Sequence, residues 1–200
     1  MEERRNGYLL STDLALWDAA AIHAALTASY WAAGVPLDVV TRSLTHSLGV
    51  GAYLDPTDGG SPGPSGASDQ AGVAGRRPGD PGQAAEAQAG VAGRRPEQVG
   101  FVRVVTDRAT FAWVCDVYVL PAHRGRALGK RMMAMLMAHP ELQGLRRWML
   151  ATRDAHGLYA QFGFEPLPVP SRFMQLPNRS DYGGERPTER RGSPPSSAGR

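Results

Sequence analysis

The chain has 200 residues, of which 42% are hydrophobic, enough for one ordinary buried core and too few for two large ones. Its 22 Lys+Arg against 19 Asp+Glu give a net charge of +3, a weak argument for a polyanion partner, since Lys130 is the only lysine and much of the arginine lies in Gly- and Pro-rich stretches. One cysteine, Cys115, excludes an internal disulfide and a multi-cysteine metal site; no stretch reaches the roughly 18 apolar residues of a membrane-spanning helix, and MEERRNGYLL at the start lacks an export core, so the expectation is a soluble cytoplasmic protein.

In chain order, a short strand is expected at Tyr8 to Ser11, then Asp13 or Asp18 as a helix cap before an apolar helical stretch through Ile22 and Leu26. Pro36 opens a second helix, PLDVVTRSLTHS. SLGVGAYLD and QVGFVRVVTD both read as strands, and between them residues 56–97 hold no aromatic residue and little aliphatic character. Such a stretch cannot bury enough apolar surface to offset its ordering entropy, so it is expected to be a disordered insertion in the loop of one β-hairpin. Within it AGVAGRRP occurs twice, at Ala71–Pro78 and Ala89–Pro96, which suits a replicated linker and is too short and too seldom repeated for a solenoid. Enlarging a hairpin loop tenfold costs only about 2 kcal/mol of closure entropy. A basic docking arm built on Arg76, Arg77, Arg94 and Arg95 is the functional alternative.

TFAWVCDVYVL, dense in β-branched and aromatic residues, marks a buried central strand. A helix follows from about Gly125 to Ala138, stopped by Pro140; RRWMLATR is another strand, AHGLYAQF a short helix, and SRFMQL a further strand. The order β-α-α-β-β-β-α-β-α-β describes an α/β chain with a mixed sheet and helices on both faces. It is one domain over residues 1–177, interrupted by the insertion, with a disordered tail at 178–200.

The segment HRGRALGK, residues 123–130, joins the central strand to the methionine-rich helix. Leu128, Met132, Met135 and Leu136 fall on one helical face suited to the sheet. The helix start has no Ser, Thr, Asp or Asn to satisfy its free N–H groups. An anion such as a diphosphate would satisfy them, with Gly125 and Gly129 admitting it and Arg124, Arg126 and Lys130 as counter-charge; water would also serve.

VYVLPAHRGRALG resembles the signature of the GNAT superfamily of acetyl-CoA-dependent N-acetyltransferases, a strand ending in V-x-x-P and then [QR]-x-x-G-x-[GA], with Arg124 and Gly129 at its first and last positions. Ala127 stands where the family usually has glycine. Downstream, RRWMLATRDAHGLYAQFGFEPL resembles the family's next strand and its A-x-x-x-Y-x-x-x-G-F helix, with Ala155, Tyr159, Gly163 and Phe164 in register and Thr152 in place of a common asparagine. The resemblance covers residues 98–167. It implies a GNAT-like central mixed sheet of six or seven strands, acetyl-CoA as co-substrate and no metal. It also implies that the backbone of Val117, Tyr118 and Val119 holds the pantetheine arm, while Arg124, Gly125, Arg126, Ala127, Leu128, Gly129 and Lys130 meet the diphosphate.

The chemistry so implied is transfer of an acetyl group to a primary amine of a small molecule by direct attack. An alkyl amine is mostly protonated at neutral pH and must lose a proton, the carbonyl oxygen needs a donor such as an N–H near Val117, and the departing thiolate needs a proton. Tyr159 is expected to supply the last. Asp116, in an otherwise apolar strand, is either the base or a structural aspartate, and His156 is a second candidate base. Asp154 reads as the cap of the helix that follows. Cys115 is expected on the opposite face of the strand from Asp116, and with no Cys-His-Asn arrangement a covalent route is set aside. Tyr30 and Trp31 are expected to wall the acceptor pocket, in a monomer or homodimer without nucleic-acid or membrane partners. The alternatives are a CoA-binding module without turnover, acetylation of a protein amine, and a nucleic-acid binder using the arginine-rich loops.

Overall fold

The computed structural model describes residues 1–55, 57 and 95–176. Six strands, β1 (Glu2–Arg5), β2 (Tyr8–Ser11), β3 (Leu48–Leu54), β4 (Gln98–Thr106), β5 (Phe111–Val119) and β6 (Arg147–Met149), form one sheet in chain order. All neighbours are antiparallel except β5 and β6, which are parallel. The helices are α1 (Ala19–Thr27), α2 (Leu37–Thr45), α3 (Leu128–Met137) and α4 (His156–Ala160). The expected mixed α/β sheet is present, with six strands among the described residues.

Most expected elements are found within a few residues, and the differences have local causes. Strand β1 went unread, although Asn6-Gly7 signals the tight turn that joins it to β2: both residues have positive φ, 56° and 76°. Both aspartates cap, Asp13 a 3₁₀ turn at Leu14–Leu16 and Asp18 helix α1, whose Ala20 and Ala21 N–H groups donate to its carboxylate. Helix α3 begins at Leu128 and not at Gly125, because Gly125 (φ 75°) and Ala127 (φ 57°) are in the left-handed region. SRFMQL forms no strand: a 3₁₀ turn at Pro170–Arg172 is followed by irregular chain in which Met174 and Leu176 are exposed. Tyr53 lies opposite Gln98 and the Leu54 N–H donates to the Glu97 carbonyl at 2.9 Å, so β3 and β4 are the two arms of the expected hairpin. The expected insertion falls outside the described residues except for Thr57 and residues 95–97, and the expected tail falls wholly outside them.

Two apolar clusters cover the sheet. One joins Leu128, Met132, Met133, Met135 and Leu136 of α3 to Val50, Val102, Val104, Ala112 and Val114. Each fully buried side chain of this size stabilises the fold by about 1.5–3 kcal/mol. The other packs Ile22 and Leu26 of α1 and Val40 and Leu44 of α2 around Trp17 and Phe101.

One irregularity positions everything that follows. Between the pairs Phe101–Tyr118 and Arg103–Cys115, strand β4 has one residue and β5 has two, so β5 carries a bulge at Asp116 and Val117. Asp116 has φ 54°, a conformation that costs a non-glycine residue roughly 1–2 kcal/mol. Before the bulge Ala112 and Val114 face α3; after it Val117 and Val119 do, so the alternation has changed phase.

Candidate functional site

Just before the bulge the sheet opens. Phe111, Ala112 and Trp113 pair with Arg147, Trp148 and Met149, and the ladder between β5 and β6 stops there. The expected strand RRWMLATR is therefore shortened to three residues, and the edge of β5 from Val114 to Val119 has no β6 partner. An extended chain with hydrogen-bonding groups fits such an edge as an added strand. The expected backbone contacts at Val117, Tyr118 and Val119 belong to this edge. The Tyr118 side chain turns to the other face, against Phe101, at 6.5 Å between ring centroids.

At one end of the edge lies a cavity of about 400 Å³ lined by Val119, His123, Arg124, Gly125, Ala127, Leu128, Gly129, Lys130 and Leu158. Ala127 caps α3 with no side-chain hydrogen bond, and the first bond of the helical ladder runs from the Arg131 N–H to the Ala127 carbonyl at 3.0 Å. The N–H groups of Leu128, Gly129 and Lys130 precede it. A Cβ built on Gly129 would meet nothing closer than Leu158 Cδ2, at 4.0 Å, so the helix start is open. Arg124 reaches back to the β5 edge, its Nε donating to the Val119 carbonyl at 3.0 Å.

Arg126 departs from expectation. Its guanidinium lies 5.9 Å from the centre of the Tyr8 ring, it does not line the cavity, and its Nε is buried without a partner. His123, which the sequence reading passed over, does line the cavity, and its Nδ1 is 3.0 Å from the Tyr8 hydroxyl. Its place beside Arg124 in the motif was the available signal.

At the other end lies a cavity of about 470 Å³ that brings together Tyr30, Trp31, Asp116, Val117 and Tyr159, five of the expected site residues, with Trp113, Cys115, Thr152, Arg153 and Asp154. Tyr159 on α4 is 8% exposed and packs edge-on to Phe164 at 6.0 Å. Burial raises its hydroxyl above the usual tyrosine range, with smaller contributions from Tyr30 and Asp154, so the phenol keeps its proton at neutral pH. Thr152 accepts from the Ala155 N–H at 3.1 Å and so braces the start of α4. That corrects the expectation for Asp154, which is exposed and pairs instead with Arg153 at 3.4 Å.

Asp116 is anchored. Arg103 Nε donates to Asp116 Oδ2 at 2.6 Å while Arg103 Nη1 donates to Ser47 Oγ at 2.9 Å, and the two charged side chains are 14% and 10% exposed. Arg103 is also the cross-strand partner of Cys115. The bulge thus brings the Asp116 carboxylate to the residue facing Cys115, and the strict alternation expected of these two neighbours fails. Burial pushes the Cys115 thiol up to about 12, leaving it a poor nucleophile. His156 is exposed and lines neither cavity. Among the described residues no group of three or more His, Cys, Asp and Glu side chains could hold a metal ion, and no helix is long and apolar enough to cross a membrane.

Comparison with known proteins bears on the family and the fold. The family model for the acetyltransferase (GNAT) domain matches residues 85–166. A candidate acetyltransferase of the fungus Gibberella zeae is 35% identical over 162 residues, 78% of each chain. Among solved structures, a candidate GNAT acetyltransferase of Xanthomonas campestris pv. campestris is 38% identical, with a TM-score of 0.65 over 88% of this chain and 97% of its own. A probable acetyltransferase of Staphylococcus aureus shares the fold at 17% identity, with a TM-score of 0.54 over 86% and 99% of the two chains.

Proposed function

The chain belongs to the GNAT family of acetyltransferases, and from that premise we propose that it moves the acetyl group of acetyl-CoA to a primary amine of a small molecule by direct attack. One observation carries the reading: the unpaired edge of β5 runs between two cavities, one at an open helix start and the other beside Tyr159. An extended thioester arm with an anionic tail fits that path, and the donor supplies the acetyl group in activated form.

Each part of the chain then has a task. The N–H groups of Leu128, Gly129 and Lys130 and the charges of Arg124 and Lys130 hold the diphosphate. The edge groups of Val117 to Val119 align the arm, and an N–H near Val117 donates to the carbonyl oxygen as negative charge develops there. In the larger cavity the neutral amine approaches the thioester carbon; the C–N bond forms and the C–S bond breaks. The amine proton passes to water at the open mouth. Tyr159 gives its proton to the leaving sulfur and regains one from water, so the net proton ends on the thiol. Asp116 serves as the anchor of the bulge and not as the base, because protonating it would leave Arg103 without its counter-charge.

The test is release of free thiol from acetyl-CoA in the presence of an amine, for the native chain and for Tyr159→Phe. The variant should bind coenzyme A as before and turn over far more slowly. Equal turnover removes Tyr159 as the proton donor, and no amine-dependent release from the native chain removes the transferase reading.

A further inference from the structure

The charges around the larger cavity are paired off. Asp116 is neutralised by Arg103 at 2.6 Å, and Arg153 and Asp154 face each other at 3.4 Å. Each lining carboxylate has an arginine beside it, so the lining together with Arg103 carries no net charge. The remaining large side chains are aromatic. Tyr30 and Trp31, 51% and 45% exposed, stand edge to face at 5.0 Å, and Trp113 of β5 lines the same space.

These aromatics are held in place. The Arg153 guanidinium lies 3.8 Å from the centre of the Tyr30 ring, and the Arg153 N–H donates to the Tyr30 hydroxyl at 3.3 Å. Two contacts thus tie the chain after α1 to the chain after β6, across 123 residues of sequence. Aromatic area left open to water but fixed in geometry, at the rim of a cavity without unbalanced charge, suits a planar apolar guest.

Resting on the reading that this cavity receives the acceptor, we propose that the acceptor is a monoamine with an aromatic body, an arylalkylamine. Its ring lies among Trp31, Tyr30 and Trp113, and its amine extends toward Tyr159 and Val117. Arg153 is a positioning residue that fixes Tyr30. A polyamine would bring several ammonium charges to a site with no net negative charge, and an amino acid would leave its carboxylate without a partner. A cavity of about 470 Å³ also has the size of a small-molecule site.

The experiment measures thiol release at saturating acetyl-CoA with 2-phenylethylamine, hexylamine, phenylalanine, spermidine and a tripeptide, and coenzyme A binding by calorimetry. Expected is a kcat/KM for 2-phenylethylamine roughly tenfold above hexylamine and further above the rest. Trp31→Ala should raise the KM for 2-phenylethylamine roughly tenfold without changing that for acetyl-CoA, and Trp31→Phe should restore most of it. Arg153→Gln should raise the same KM at unchanged kcat, with Arg153→Lys intermediate. Preference for spermidine, phenylalanine or the tripeptide, or indifference to Trp31, overturns the acceptor class while the transferase reading stands. Binding of coenzyme A with no thiol released by any amine overturns both.

Discussion

The two cavities are built from different material. The smaller comes mostly from one run of eight residues, with a helix start, two left-handed residues and glycines, flanked by Val119 and Leu158. The larger is made of side chains from three distant stretches: the chain after α1, the bulged half of β5, and the residues from the end of β6 into α4. Amide groups recognise what every donor of one class shares, a diphosphate on an extended arm. Side chains recognise what differs between acceptors. Substitutions in the first should therefore move donor affinity alone, and substitutions in the second should move turnover or acceptor KM alone.

The largest separation is expected from Tyr159→Phe, with kcat lowered about 100-fold or more and coenzyme A affinity unchanged by calorimetry. Its pH profile adds a second test. Because burial raises the Tyr159 hydroxyl above its ordinary value of 10.0, the proton-bearing form persists throughout the working range, and kcat should show no alkaline downturn below pH 10. A downturn centred near pH 8 would assign the proton to another group. On the donor side, Gly129→Asp should weaken coenzyme A binding about 100-fold by placing a negative charge at the diphosphate position. Gly129→Ala, whose Cβ would meet nothing closer than 4.0 Å, should fold normally, so any loss of binding reports space used by the ligand.

Asp116→Asn separates anchor from base. As an anchor, its loss leaves Arg103 unpaired and should cost about 3 kcal/mol of stability, read as a fall in Tm, with a kcat change that follows loss of folded protein. A lowered kcat at unchanged Tm would restore Asp116 as the base. The smallest effect is expected from Ala127→Gly. Relieving a left-handed alanine at φ 57° should gain about 1 kcal/mol, raising Tm or tightening coenzyme A binding several-fold. If neither moves, the glycine usual at this position in the family serves something other than backbone freedom.

The smaller cavity was largely legible because its parts are consecutive: Arg124, Gly125, Leu128, Gly129 and Lys130 all line it. Arg126 misled because its charge says nothing of direction, and it went to the Tyr8 ring. The long strands were legible through their apolar density, and β1 escaped notice because Glu2–Arg5 is charged throughout. Asp154 looked like a cap by position, yet α4 has no side-chain cap and Thr152 only holds the Ala155 N–H just before it. The larger cavity was half legible. Tyr30, Trp31, Asp116 and Tyr159 could be named, but nothing local pairs Tyr30 with Arg153, and a bulge cannot be read from a strand that alternates plausibly on both sides of it.

A strand with one surplus residue falls out of step with the neighbour it pairs with. Here β5 resumes its ladder with β4 on the far side of that residue but has no β6 partner after Trp113, so an unpaired edge runs from Val114 to Val119. A chain added along that edge would break no bond between β5 and β6. The residue at this misfit is also the one whose carboxylate is locked to the next strand. A single position thereby combines a left-handed backbone with a buried ion pair across two strands.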